Sequence, residues 1–422
     1  MDRRTFNIAM TIGAGGLIAP TLGAAPRRAG RKVLALYSSI DSVMTRYEVD
    51  VEAATLTFGE TITLPSSIQY AWPLPAKRAL YAVTSDAVGG SRTITGQVHR
   101  LCALRFGPRG KLVPLGQGEV LRQRPIHMTI DRTGSHVLVA YNVEPEITVH
   151  PLRPNGAIAA RLPQPQGLDY GIFPHQVRAV PGNRSVVLVT RGNNAGGGRP
   201  EDPGALKLFH YDSGRLSNLT SIAVGGKGGY GYGPRHLDFH PVKPWVYLSI
   251  ERQNELHMHR IVDGSFAPVP DFIRKTTEQA ERGVAQVAGA IHVHPKGHVV
   301  YVSNRASGTR KVNGQDVWVG GDNTISVFAI DQTTGEPTLV QQADPKGFHV
   351  RTFAIDPSGR LLVAATMVDM VVRDPDGLRK VSAGLSLFRI APDGKLDFVR
   401  KYDVTLPEGA QQLWVNMVEV DA

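Results

Sequence analysis

The chain repeats one short segment along most of its length, at a spacing of roughly 45–60 residues. Each copy holds an alternating strand, a tight turn built on Pro or Gly, and a strand rich in β-branched residues. The copies occupy residues 124–142, 173–191, 234–251, 289–305 and 349–366, with a degenerate copy at 67–85. A third strand, such as 323–331, follows each copy, and often a fourth. This pattern predicts four antiparallel strands per repeat, as in the blades of a β-propeller.

Six repeats leave residues 33–60 at one end of the chain and 411–420 at the other. We expect these two ends to share one blade, because sharing closes the ring without an exposed strand edge. The sequence therefore predicts an all-β, seven-bladed propeller over residues 31–422, as a single domain with no internal linker. The 45 glycines and 29 prolines supply turns and make a helical bundle unfavourable. The one helix-like segment, 276–289, is expected to connect two blades.

The N-terminus carries an export pattern. Arg3 and Arg4 precede Phe6, as in the twin-arginine motif, and residues 6–25 are uncharged and end in small residues. We expect residues 1–25 to be a signal peptide that directs the protein through the twin-arginine translocation machinery. The mature chain would then be periplasmic or secreted, without a stable membrane span. The alternative is an ordinary flexible N-terminus.

Composition narrows the possible partners. The formal charge of +10 favours an anionic small molecule, nucleic acid, or a basic surface of no special purpose. Nucleic-acid binding is disfavoured because the basic residues are scattered and aromatic residues make up only 7% of the chain. Cys102 is the single cysteine, which excludes an intramolecular disulfide and a cysteine-based metal cluster. No Walker loop and no Gly-x-Ser-x-Gly elbow occurs.

The repeats resemble the lactonase family of seven-bladed propellers, which includes 6-phosphogluconolactonases and carboxymuconate cyclases. The most specific matches are GYGPRHLDFHP (231–241), HPKGHVVYVSNR (294–305) and RTFAIDPSGRLLVAA (351–365). The resemblance implies a lactone-hydrolysing enzyme. Two positions depart from the family pattern: Ala290 replaces a frequent glutamate, and Val177 replaces a second histidine after Pro-His. These changes favour a substrate other than the phosphorylated sugar lactone, namely an unphosphorylated or carboxylate-bearing lactone.

Polar residues recur where the innermost strand of a blade begins and where its second strand ends, and both positions face one mouth of a propeller's channel. The predicted strand starts carry His127, His175, Arg235, His236, His292 and Arg351. The predicted ends of the second strands carry Asn142, Arg191, Glu251 and Arg305. Several arginines and histidines with one obvious carboxylate predict a site for an anion.

These residue types suit lactone hydrolysis. Guanidinium groups can stabilise the oxyanion that forms when water attacks the carbonyl, and can hold a carboxylate or phosphate. Glu251 or His175 could accept the proton of that water. The resemblance implies the same catalytic set, His175, Arg235, Glu251 and Arg305. Substrate contacts are expected from Arg351, Arg191, His236 and His127, and neither a cofactor nor a metal is predicted.

Each assignment has a structural alternative. Arg235 and Glu251 could form an ion pair that only braces the channel, Arg305 could cap carbonyls of the loop 306–322, and His175 could be a core histidine. Structural roles are favoured for His236, His240, His292 and His294. The protein could also be a muconate-type cyclase or isomerase, or a non-catalytic binding propeller. The insertions 191–204 and 305–322 are expected to rise above the same mouth. Trp318 is a candidate to cover the pocket, and the alternative is an exposed aromatic residue of the loop.

Overall fold

The structure, a computed structural model, describes residues 31–87, 95–225, 227–278, 284–306 and 308–422. The predicted signal peptide lies outside these residues. The first fifteen strands are β1 (Lys32–Ile40), β2 (Val43–Asp50), β3 (Thr55–Thr63), β4 (Ile68–Leu74), β5 (Ala79–Ser85), β6 (His99–Phe106), β7 (Leu112–Pro114), β8 (Glu119–Val120), β9 (Pro125–Ile130), β10 (His136–Tyr141), β11 (Glu146–Pro151), β12 (Pro174–Ala179), β13 (Ser185–Thr190), β14 (Ala205–Asp212) and β15 (Arg215–Ala223). The remaining strands are β16 (Pro234–Phe239), β17 (Trp245–Ile250), β18 (Glu255–Val262), β19 (Ser265–Phe266), β20 (Phe272–Lys275), β21 (Gln286–Val293), β22 (Val299–Ala306), β23 (Thr309–Val312), β24 (Gln315–Trp318), β25 (Ile325–Ile330), β26 (Pro337–Ala343), β27 (Phe348–Ile355), β28 (Leu361–Val368), β29 (Met370–Asp374), β30 (Gly377–Val381), β31 (Gly384–Ile390), β32 (Leu396–Asp403) and β33 (Gln412–Asp421).

Seven sheets form a ring. Six of them follow the chain and begin with the strands β4, β9, β12, β16, β21 and β27, while the seventh has the order β3-β2-β1-β33. The innermost strands contact one another in a closed order, β4, β9, β12, β16, β21, β27, β33 and again β4. The described residues contain only two short 3-10 turns besides strands. The predicted all-β, seven-bladed propeller is therefore confirmed.

The ring closes through the two ends of the chain, as expected. Strand β1 pairs antiparallel with β33 in a register that runs from Lys32 opposite Asp421 to Ile40 opposite Gln412, with one bulge. An ion pair of 2.6 Å between Lys32 Nζ and Asp421 Oδ1 accompanies this pairing. The N-terminal strands thus complete a blade whose innermost strand comes from the C-terminal end.

Two expectations about elements are wrong. The blade β9–β11 has three strands instead of four, and beyond β11 the described residues form only two isolated bridges, Val149 with Leu162 and Leu152 with Ile158. Residues 286–289, expected in a helix, belong to strand β21 because this segment is the innermost strand of its blade and pairs with β22. Residues 279–283 of the same segment lie outside the described part of the chain.

Neighbouring blades are joined by buried hydrogen bonds to the turn of the next blade. The hydroxyls of Tyr81, Tyr247 and Tyr301 donate to the carbonyls of Gly156, Gly335 and Gly394 at 2.7–2.8 Å. His240 Nε2 bonds the carbonyl of Gly297, and His294 Nε2 bonds that of Gly359. Gly297 has a φ of +78°, and a Cβ there would lie 2.4 Å from His240 Nε2. The structural roles expected for His240 and His294 are confirmed.

An additional sheet lies outside the ring. It joins the hairpin β23–β24 to the hairpin β29–β30 of the next blade through a parallel pairing of Val317 with Val371. Trp318 donates a 3.0 Å hydrogen bond from Nε1 to the carbonyl of Ala306 and packs at 5.0 Å against the ring of Phe348. Trp318 therefore anchors this sheet. The sequence did not predict a sheet shared between two insertions.

Candidate functional site

The repeat brings equivalent positions of three blades together. Arg191 follows β13, Glu251 follows β17, Arg305 lies near the end of β22, and Arg235 is the second residue of β16. We call these four residues the arginine cluster, and the channel end at which they lie the arginine mouth.

Glu251 is the centre of the cluster. Its Oε2 accepts a 3.1 Å hydrogen bond from Arg191 Nε and lies 3.5 Å from Arg235 Nε, while its Oε1 lies 3.6 Å from Arg305 Nη2. The side chain of Glu251 is only 11% exposed. The expectation that these residues meet is confirmed, and three guanidinium groups share one carboxylate.

The cluster is electrostatically unbalanced. Burial opposes ionisation of Glu251, but the charges of Arg305, Arg235 and Arg191 outweigh it and lower the pKa of this carboxyl. Burial lowers the pKa of Arg235 well below its usual range, and the charge of Arg305 adds to this effect. Arg305 Nη2 also donates to the carbonyl of Ala288 at 2.9 Å. Arg305 thus caps a carbonyl, as the alternative proposed, but on β21 and not in the loop 306–322.

A layer of histidines lies beside the cluster. The ring of His236 lies 4.9 Å from that of His175 and 5.8 Å from that of His127, and His127 lies 3.9 Å from the ring of Tyr70. Burial, followed by the charges of nearby arginines, lowers the pKa of all three imidazoles well below 6.5. All three are therefore neutral at pH 7. His175 Nδ1 is buried without a hydrogen-bond partner among the described residues.

The structure corrects the placement of His292. This residue aligns with Asp238, three positions farther along the innermost strand than Arg235, and its Nδ1 lies 3.7 Å from Asp238 Oδ2. Asp238 also pairs with Arg178 at 3.0 Å. A cavity of about 260 Å³ contains these side chains together with His236 and Ala290. His292 therefore belongs to a second group of charges in the channel, and not to the arginine mouth.

Val177 does not line the mouth. It is fully buried in the apolar cluster between two blades, where it packs with Ile126 and Leu138. Ala290, in contrast, lines the channel cavity. Of the two departures from the family pattern, only the one at Ala290 therefore bears on the space available to a ligand.

Three residues of the site escaped the sequence analysis. His349 Nε2 lies 3.4 Å from Arg305 Nη1. Its position in a clear repeat, two residues before Arg351, could have indicated that it lies near the channel mouth. Arg124 and Gln69 hydrogen-bond each other at 2.7 Å. Both line a cavity of about 550 Å³ with Arg351. Among the residues that the structure describes, no group of three or more His, Cys, Asp or Glu side chains could hold a metal ion.

The ring and the arginine mouth define a propeller with a buried cluster of three arginines around one carboxylate. The chain belongs to the family described as "Lactonase, 7-bladed beta-propeller", whose model matches residues 34–373.

Named relatives agree with this membership. A 6-phosphogluconolactonase from Bacillus subtilis is 26% identical over 266 residues, which cover 61% of this chain and 67% of that protein. A 6-phosphogluconolactonase from Pectobacterium carotovorum is 25% identical over 311 residues, covering 74% and 80%. The structure of a periplasmic gluconolactonase from Pseudomonas aeruginosa shares the fold, with a TM-score of 0.66, 18% identity and coverage of 92% and 99%. These relatives support lactone hydrolysis as the general class of activity.

Proposed function

We propose that the protein hydrolyses a small lactone, derived from a sugar or an aromatic acid, at the arginine mouth. One observation carries this proposal: three arginines converge on the single carboxylate of Glu251 in a buried site. Their positive charge exceeds the negative charge of Glu251, so a developing oxyanion would be stabilised there.

His175 is the better candidate for the base. Its imidazole is neutral because burial and the charges of Arg235 and Arg351 lower its pKa, so it can accept a proton from water at pH 7. The pKa of Glu251 is lowered as well, so both groups are weak bases. His175 is preferred because its Nδ1 has no hydrogen-bond partner among the described residues, whereas both oxygens of Glu251 face arginines. In this mechanism water attacks the carbonyl carbon, His175 takes its proton, and Arg235 and Arg305 stabilise the oxyanion. The ring oxygen then leaves as the alcohol and receives that proton, and Glu251 keeps the arginines in position.

Kinetics on the purified residues 26–422 test the proposal. We expect Arg235→Ala and Arg305→Ala each to lower kcat by about 10²–10³, since a lost contact to an oxyanion costs about 3–4 kcal/mol. Arg360→Ala serves as the control because this exposed arginine pairs only with Glu52 and Ser358. Equal activity of all three variants would contradict the assigned site. Binding of lactones without turnover would instead support the non-catalytic alternative.

The substrate is proposed to be unphosphorylated or to carry a carboxylate. Ala290 leaves out a carboxylate that the family often has in the channel, and the proposed export separates the protein from a cytoplasmic sugar phosphate. The comparison to make is kcat/KM on gluconolactone and carboxylated muconolactones against 6-phosphogluconolactone. A strong preference for the last compound would overturn this choice.

Export through the twin-arginine machinery is also a proposal. It rests on Arg3, Arg4 and Phe6, and it is in line with a structural neighbour that is periplasmic. No helix of the described residues is long and apolar enough to cross a membrane. Replacing Arg3 and Arg4 by lysine should leave the precursor in the cytoplasm, which cell fractionation would show. Normal export of that double variant would point to another route.

A further inference from the structure

A second group of arginines lies beside the arginine mouth and is not part of the arginine cluster. Arg124 and Arg351 line a cavity of about 550 Å³ whose walls include Ser42, Ser67, Gln69 and Gln411. Arg124 precedes β9 and Arg351 lies within β27, so the innermost strands of two blades hold their backbones. The cavity therefore has cationic groups in its wall and hydroxyl and amide groups around them.

Arg124 is buried without a counter-charge. It is only 7% exposed, its Nη2 donates to Gln69 Oε1 at 2.7 Å, and its Nε has no hydrogen-bond partner within the described part of the chain. Its pKa is lowered by burial alone, with no acid to oppose the effect. Gln69 provides a neutral oxygen that orients the guanidinium group but leaves its charge uncompensated.

Arg351 also lacks a counter-charge in the described part of the chain. Among the described residues it forms no ion pair, and burial followed by the charges of Arg124 and Arg305 lowers its pKa to about 10. The negative charge of Glu251 raises the pKa of Arg351, but this carboxylate is already shared by the three arginines of the cluster. The positive charges of Arg124 and Arg351 therefore share one partly buried cavity, which is unfavourable unless an anion binds between them.

Other buried arginines of this protein do have partners. Arg178 pairs with Asp238 at 3.0 Å, and Arg46 pairs with Glu60 at 2.8 Å. Two carboxylates, Asp41 and Asp86, also line the cavity, but both are exposed and neither forms an ion pair with Arg124 or Arg351 within the described ranges. Asp86 accepts hydrogen bonds from the backbone N–H groups of Gln97 and Val98. The adjoining segment 88–94 contains no acidic residue in its sequence.

We propose that Arg124 and Arg351 form a subsite for an oxyanion, a carboxylate or a phosphate, at the acidic end of a polyhydroxylated ligand. The anion supplies the counter-charge that the protein lacks, and the serine and amide groups of the cavity face the hydroxyls. The charge of Arg305 acts on Arg351 as well as that of Arg124, which places the subsite near the arginine mouth. The role of this ligand as a substrate rests on the proposed function, whereas the binding of an anion does not.

Thermal unfolding in the presence of small ligands tests the subsite directly. Inorganic phosphate and gluconate are expected to raise the Tm of the wild-type protein, because each binds the folded state, whereas glucose is expected to have no effect. The larger of the two shifts identifies the preferred oxyanion. A wild-type Tm that neither anion raises would overturn the proposal.

Arg124→Gln removes the buried charge, and Arg122→Gln is its matched control. Arg122 lies two residues away, but it is 60% exposed and paired with Glu144 and Glu146. Without added anions, Arg124→Gln is expected to melt at or above the wild-type Tm, since it removes an unpaired charge. Phosphate and gluconate should no longer stabilise it, whereas Arg122→Gln should respond like the wild type. A clear loss of Tm in anion-free buffer would show that the protein itself compensates the charge of Arg124, and would overturn the proposal.

Steady-state kinetics distinguish a failure of the anion subsite from a failure of the proposed lactonase function. Arg124→Gln should raise KM for carboxylated lactones about 10-fold or more, a larger effect than its effect on kcat/KM for neutral gluconolactone. Hydrolysis with an unchanged ratio between the two substrates would refute the subsite but not the lactonase function. Anion stabilisation that Arg124→Gln abolishes, without hydrolysis of any lactone, would support the subsite and refute the function.

Discussion

Replacing Glu251 with glutamine tests whether this residue organises the arginine cluster. The substitution keeps the shape of the side chain but removes the one carboxylate that, in the described part of the chain, pairs with Arg191, Arg235 and Arg305. Removing one partner of a buried ion pair costs about 3–5 kcal/mol. For a folded unit of this size, that loss corresponds to a decrease in Tm of about 4–6 °C.

Glu255→Gln is the matched control. Glu255 lies in the same blade and its side chain is 13% exposed, close to the value for Glu251, but its cationic partner Lys275 is 54% exposed. Its Oε2 also bonds Nε2 of the buried His257 at 2.9 Å, a contact that the amide oxygen of glutamine can keep. Water can therefore solvate the charge that Glu255→Gln releases, and we expect a loss of about 1 kcal/mol. Differential scanning calorimetry of both variants at pH 7.5 gives the comparison.

A second substitution sharpens the test. Combining Glu251→Gln with Arg191→Gln removes one of the excess positive charges, so the double variant should recover part of the lost stability. If Glu251→Gln melts within about 1 °C of Glu255→Gln, the arginines are not held by Glu251 and the reasoning fails. Full activity of Glu251→Gln would further assign the base to His175 or to another group.

Two further predictions concern the ring and its histidines. Deleting residues 409–422 removes β33 and should abolish cooperative unfolding in circular dichroism, and a truncated protein that melts like the full-length chain would contradict the shared blade. Stability should fall as the pH drops below about 6.5, because the unfolded chain binds protons that the buried, neutral imidazoles of His127, His175, His236 and His349 do not. The slope approaches about 1.4 kcal/mol per pH unit for each histidine, and urea unfolding at pH 7.5 and 5.5 would show a contrary trend if this reasoning is wrong.

The arginine cluster could be predicted from the sequence because it lies on equivalent positions of clear repeats. Arg191, Glu251 and Arg305 each lie at or just after the end of the second strand of a copy, and the ring places such positions at one end of the channel. Once the repeats are aligned, the rotational symmetry of the ring indicates which residues lie close together, so the three-dimensional structure is not needed to predict the cluster. Ring closure was predictable for the same reason, since the leftover ends together supply one blade.

Features that depend on strand irregularities were harder to predict. His292 was misplaced because residues 286–289 were expected in a helix, whereas β21 begins at Gln286, so the predicted start of this strand was too late. The pairing of Arg124 with Gln69 involves the degenerate copy 67–85, where the repeat gives little guidance. The additional sheet joins hairpins of two blades through one residue pair, and no local pattern encodes such a contact. The helix expected at 276–289 followed local composition, which strand pairing overrides.

The shared blade also sets the order of events during biosynthesis. The ion pair between Lys32 and Asp421 joins residues that are 389 positions apart, and β33 follows every other strand of the ring in the chain. A ribosome therefore has to finish β33 before β1 can find its partner, and until then the open edge is exposed to the cell. Contacts between residues so far apart in the chain form slowly. We therefore expect the ring to close only after synthesis, and this closure to be the slow step of folding. Any translocase that accepts only finished molecules has to act after this last step.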